Sequence, residues 1–164
     1  ASCLVGSEMC IRDRYYSGDP KRIQHFTKVH SYARLIGQLE HLSDDTQNIL
    51  EIAALVHDIG IKISELKYGN CNGKNQEKEG KAEAEKLLTE LGYPQEVIER
   101  VSYLVGHHHS YDQIEGIDYQ ILVEADFIVN MYEDAEAEEN CRKVCKRIFK
   151  TESGTRIFKE MFGI

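Results

Sequence analysis

From Tyr15 onward, apolar residues return every three or four positions, and short breaks rich in Gly, Asn or Pro separate the periodic segments. That period marks amphipathic helices that turn one face inward. It predicts an all-α fold, a single-domain helical bundle. Strand signals are almost absent, with no hairpin dipeptide between alternating segments. Asp19 and Pro20 open a helix that should run to about His41. Ser43 or Asp44 caps a second that closes at Gly60. A short helical turn and a loop with Gly69, Asn70, Asn72 and Gly73 follow. Further helices are expected over about 76–91, from Pro94 to the histidines at 107–109, from Asp118 as cap to Asp134, over 137–150 and over 154–162. Residues 1–14, ASCLVGSEMCIRDR, have no clear period and match poorly with the rest. They are expected to be a non-native or disordered leader, leaving 15–164 as the domain.

At 164 residues the chain can bury a substantial core. Its formal net charge of −8 repels phosphate backbones, so long nucleic acid is not an expected partner. A small phosphorylated molecule stays compatible if a metal or a local lysine supplies positive charge. No apolar run is long enough to span a membrane, and no signal-peptide pattern is visible, so a cytoplasmic location is expected. The five cysteines have no two-residue gap of the zinc-knuckle kind. Cys141 and Cys145, one helical turn apart, are expected to be ordinary partly buried thiols.

Helical phase shows which polar groups point inward, since each residue turns about 100°. Leu50, Ala53, Ala54 and His57 share one stripe, and Asp58 lies beside it, four after Ala54. In the helix from Asp118 the stripe is Leu122, Ala125, Val129 and Tyr132, and Asp126 falls inside it. A mid-helix aspartate on a core face is costly unless compensated. On the first helix, His25 is nearer the stripe of Val29, Ala33 and Ile36 than His30, which is the fallback. On the fifth, Val97, Val101, Leu104 and Val105 extend to His108, with His107 on its flank and His109 outside. Each inward group has a plain alternative: a histidine satisfied by a carbonyl, or Asp126 paired with Arg100 or Arg34. Together they form a set of imidazole nitrogens and carboxylate oxygens without thiolates, which suits Fe, Mn, Ni, Co, Zn or Mg in a bundle core.

The stretches RIQHFTKV, AALVHDIG, VGHHH and EADF resemble the HD-domain superfamily of metal-dependent phosphohydrolases, over about residues 20–135. The resemblance implies an HD-type bundle with a metal site in its core, and metal ligands at His25, His57, Asp58 and Asp126. In two-metal relatives Asp58 would bridge the ions. One additional ligand position falls on His108, or on His107 if the register slips by one. The other falls on Gln76, a departure for which Glu77 or Glu79 would have to substitute; otherwise one ion is expected, with His107 and His108 facing the substrate. A lysine of many relatives is displaced here to Lys62.

The implied cofactor is one or two divalent metal ions, and the implied activity is hydrolysis of a nucleotide or related small phosphoester by a metal-activated water. Catalytic roles fall on Asp58, His108 and Lys62, with His107 a further proton donor to the leaving group. Tyr68, Tyr103 and Tyr111 lie near enough to the motifs to stack on a base. Two other readings remain: a non-catalytic metal- or ligand-binding module of the same fold, and a di-iron oxygenase of the HD type. The oxygenase needs the full histidine set, which Gln76 interrupts.

Overall fold

The helix starts are set by side chains that satisfy first-turn amides. Asp19 accepts a hydrogen bond from the Arg22 amide at 3.1 Å, with Pro20 in the first turn, and α1 runs Pro20–Leu39. Ser43 accepts from the Thr46 amide at 3.3 Å to begin α2, Asp44–Val56. The computed structural model describes residues 15–164; the expected leader, 1–14, lies outside the described residues. Next come α3 (Ile61–Tyr68), α4 (Gly73–Glu90), α5 (Gln95–Val105), α6 (Ile117–Glu133), α7 (Glu138–Ile148) and α8 (Glu152–Phe162). These eight helices, with no strand, are the regular structure among the described residues.

Several boundaries differ from the sequence expectation for local reasons. Asn72 accepts from the Asn75 amide at 3.0 Å, so α4 begins at Gly73, earlier than expected. Asp118 is not the cap of α6: Gly116 holds that position, and the Asp118 carboxylate grips Arg100 at 2.7 and 2.9 Å. Val97 is only half buried, and Ile98 takes the inward place. Tyr132, expected on the buried stripe of α6, is 60% exposed, with the Lys28 ammonium 5.4 Å from its ring centre.

The core is built on α1, α2, α5 and α6. α1 lies against α2 and α6, while α2 also packs on α5 and α6. α3 and α4 pack on one another, α4 lies along α5, and α7 with α8 closes the α6 side. Val29, Ala33, Ile36, Leu50, Ala53, Ala54, Val101, Leu104, Val105, Leu122, Ala125 and Val129 are all buried, as the helical phases predict. Residues 57–60 form the turn between α2 and α3. It can press against α4 because Gly60 has no side chain: a Cβ there would meet the Gln76 carbonyl oxygen at 2.5 Å and the Gly80 amide nitrogen at 2.6 Å. No described helix is long and apolar enough to cross a membrane.

Candidate metal centre

Two helices and two turns bring their polar groups to a single point. α1 contributes His25, the turn after α2 contributes His57 and Asp58, and α6 contributes Asp126. The turn after α5 adds His108. His25 Nε2 lies 3.2 Å from Asp126 Oδ1 and 3.6 Å from Asp58 Oδ2. His57 Nε2 lies 3.5 and 3.6 Å from the same two oxygens. Asp58 uses both oxygens, since Oδ1 faces His108 Nε2 at 3.4 Å. His25, His57, His108 and Asp126 are buried, and Asp58 nearly so.

The tautomers follow from the other ring nitrogens. His57 Nδ1–H donates to the Ala54 carbonyl at 2.9 Å, and His108 Nδ1–H to the Val105 carbonyl at 2.8 Å. His25 Nδ1–H donates to Glu133 Oε2 at 3.0 Å, while Glu133 Oε1 pairs with Lys28 at 2.7 Å. All three rings therefore present Nε2 to the centre. In the neutral state those are lone pairs, yet His25 Nε2 and His57 Nε2 stand only 3.4 Å apart, with carboxylate oxygens around them. Buried His108 Nε2 and Asp126 Oδ1 have no hydrogen-bond partner among the described residues. Buried lone pairs converging in this way require a positive charge between them, either protons or a cation. His25, His57 and Asp58 bring ligand atoms within 4.8 Å of one another, and so do Asp58, His108 and His109.

Without a cation, protons serve. Burial opposes charging His57, but Asp58 and Asp126 outweigh it and push the imidazole up to about 9. Burial likewise works against Asp58, yet the His57 and His108 imidazoles bring its carboxyl down to about 2. Asp126 is held well below the usual carboxylate range by His25 and His57 against the same opposition. The Asp58 backbone is anchored too, its carbonyl accepting from the Tyr16 hydroxyl at 2.8 Å.

The remaining sequence candidates fall elsewhere. His30 pairs with Glu51 at 3.2 Å, outside the cluster. His107 turns away: its Nδ1–H donates to the Tyr103 carbonyl at 2.7 Å, and its ring stacks on Tyr103. His109, expected outside, is partly buried, with its ring centre 4.0 Å from that of His108. The cause is that α5 stops at Val105, so helical phase does not extend through the turn at 106–109. Gln76 is buried but fully used, its Oε1 accepting from His109 Nε2–H at 2.8 Å and its amide nitrogen donating to the Cys71 carbonyl. Glu77 accepts from the His109 amide at 3.1 Å and the Ser110 hydroxyl at 2.9 Å. Glu79 is held by Lys67 and Tyr68. Exposed Lys62 donates to the Tyr15 carbonyl at 3.4 Å.

Neither arginine reaches Asp126: Arg100 holds Asp118, and Arg34 stands by Glu51 at 4.0 Å. Glu133 and Tyr16, which orient the cluster, were missed by sequence reasoning. A carboxylate seven residues beyond Asp126 on the same helix was the available signal for Glu133.

No curated protein and no solved structure gives a match to the chain. The family model of the HD domain matches residues 22–150, a span that contains the whole cluster. With the ordered His, His-Asp, Asp set converging inside that match, the chain belongs to the HD-domain family, a family of metal-dependent phosphohydrolases.

Proposed function

We propose that His25, His57, Asp58 and Asp126 hold a divalent transition metal, Fe, Mn, Ni, Co or Zn, and that the chain hydrolyses a nucleotide or a related small phosphoester. One observation carries this reading: two imidazole nitrogens and two carboxylates converge at 3.2–3.6 Å, and a buried oxygen among them lacks a hydrogen bond. The donor set fits, because nitrogen and oxygen ligands without thiolate suit these metals. When bound, such an ion supplies a nucleophilic water near neutral pH and neutralises charge on a phosphoryl oxygen.

The protein's own groups do the rest. Ala54 and Glu133 fix the His57 and His25 rings so that Nε2 faces inward, an arrangement that orients ligands and raises their basicity. Asp58 faces the cluster with one oxygen and His108 with the other, and the Val105 carbonyl fixes the His108 ring, so His108 stands beside whatever the centre holds. His108 Nε2 has no hydrogen-bond partner among the described residues, which leaves it free to hold a proton for the leaving oxygen. Lys62 takes no part in this reading, since its ammonium lies on the Tyr15 carbonyl.

The decisive experiment is elemental analysis of protein purified without chelator, beside Asp58→Ala, followed by a phosphoester panel on the same samples. About one ion per chain, lost in the variant together with turnover, is the expected result. Absence of metal, with none taken up on adding Mn or Ni, would reduce the cluster to a proton-bridged structural network and end the hydrolase reading.

A further inference from the structure

A cavity of about 460 Å³ lies beside the cluster, lined by His109, Ser110, Tyr111, Asp112, Gln113 and Arg147. Its volume is in the range of small-molecule sites. It connects to the centre through a short series of contacts. Asp58 faces His108, the His108 ring lies against that of His109, and His109 Nδ1 is 3.3 Å from the Tyr111 hydroxyl. The Tyr111 ring packs edge-on against Phe127, the neighbour of Asp126, with ring centres 5.1 Å apart. His109 thus belongs both to the cavity lining and to the group of ligand atoms formed with Asp58 and His108.

The charge on that lining is unevenly placed. Arg147 supplies the positive charge, in a chain whose net charge is −8. Its ion-pair partner among the described residues is Asp112, at 4.0 Å, and both side chains are largely exposed. An exposed pair at that distance contributes little and yields readily to a better anion. Tyr111 and Arg147 line the same cavity, and the Tyr111 ring reaches Phe127 beside Asp126.

We propose that this cavity receives the part of the substrate beyond the reacting phosphate, and that Arg147 holds a second phosphate there. The substrate class is then a phosphoester with two separate phosphates, rather than a monophosphate. A planar guanidinium is suited to gripping phosphate through paired hydrogen bonds. The proposal rests on the hydrolase reading above, but its binding step is tested apart from turnover.

The experiment is calorimetric titration of the Mn-loaded protein with adenosine 3′,5′-bisphosphate and adenosine 5′-monophosphate, in the wild type, Arg147→Gln and Asp112→Asn. The bisphosphate should bind the wild type at least about tenfold tighter than the monophosphate, as expected for one charge-assisted anchor. Arg147→Gln should erase that ratio, and Asp112→Asn should widen it by freeing the guanidinium. Equal affinities in the wild type, or a ratio that survives in Arg147→Gln, would overturn the proposal. Turnover of both compounds is read separately. Arg147-dependent binding without hydrolysis removes the hydrolase reading and keeps the phosphate subsite; hydrolysis without Arg147-dependent discrimination does the reverse.

Discussion

Glu124 and Asp126 stand two residues apart on α6, both buried, and they are treated in opposite ways. Glu124 is saturated. It accepts from the Lys150 and Thr151 amides at 2.7 and 2.9 Å, the Thr151 hydroxyl at 2.5 Å and the Gln120 amide at 2.7 Å. It closes the start of α8 as a fixed anion at a helix N-terminus should. Asp126 instead faces imidazole nitrogens, and one of its oxygens has no hydrogen bond. A carboxylate serving structure collects N–H and O–H donors until none of its lone pairs is bare. A carboxylate serving a site leaves lone pairs turned toward other lone pairs, in a geometry that only a positive charge reconciles.

The sharpest way to break this contrast is reciprocal substitution. Asp126→Ala should lose the metal and at least about 10³-fold in turnover while circular dichroism stays helical. Glu124→Ala should do the converse. It should keep the metal stoichiometry but lose about 2–4 kcal/mol of stability in urea, because two backbone amides and a side-chain amide are left without their acceptor. If Glu124→Ala released the metal and Asp126→Ala did not, the two roles would have to be exchanged.

The holder of His25 gives an intermediate effect. Glu133→Gln should weaken metal affinity about 10–100-fold, read by competition with a chelating dye, with little change in fold. Unaltered affinity would show that His25 needs no fixed orientation.

Acidity sharpens the comparison further. In chelator-treated protein the folded His57 keeps its proton up to about 9, against 6.5 when unfolded. Its contribution is thus fully present below pH 6.5 and lost as pH rises toward 9. Asp58, lowered from 3.8 to about 2, contributes above pH 3.8 and loses that contribution as pH falls through 2. His109, lowered from 6.5 to about 4, makes the unfolded chain the better proton acceptor between those values, so stability also drains as pH falls from 6.5 toward 4. Metal-free protein should therefore melt highest near pH 6.5, and added Mn or Ni should move that optimum upward by displacing the His57 proton. An optimum indifferent to metal would break the assignment of His57. The smallest effect belongs to Lys62→Gln, which should leave kcat/KM within about twofold, as expected of an exposed side chain.

Helical phase made much of this legible. His25, His57, Asp58 and Asp126 were selected by their place on apolar stripes, and the structure brings them together. The rule failed where the helix failed: His109, expected outside, is partly buried against His108 because α5 ends at Val105. Partner choice was also hidden. Nothing in one-dimensional spacing shows that Gln76 spends both amide atoms on His109 and Cys71, or that Lys62 reaches the Tyr15 carbonyl. Nor could composition distinguish Glu124 from Asp126, since the difference lies in donors that arrive from residues 150 and 151.

That last contact gives α8 a mechanical part in the centre, although it supplies no ligand atom. A helix is a stiff rod, and turning it by one residue swings every side chain through about 100°. Glu124 clamps the rod from the α8 side, while Asp126 and Glu133 must both arrive at the cluster from the same rod. The Thr151 clasp thus sets the angular index of α6, and slack there would misalign ligand and holder at one stroke. Damage to the centre can begin at a threonine that never touches it.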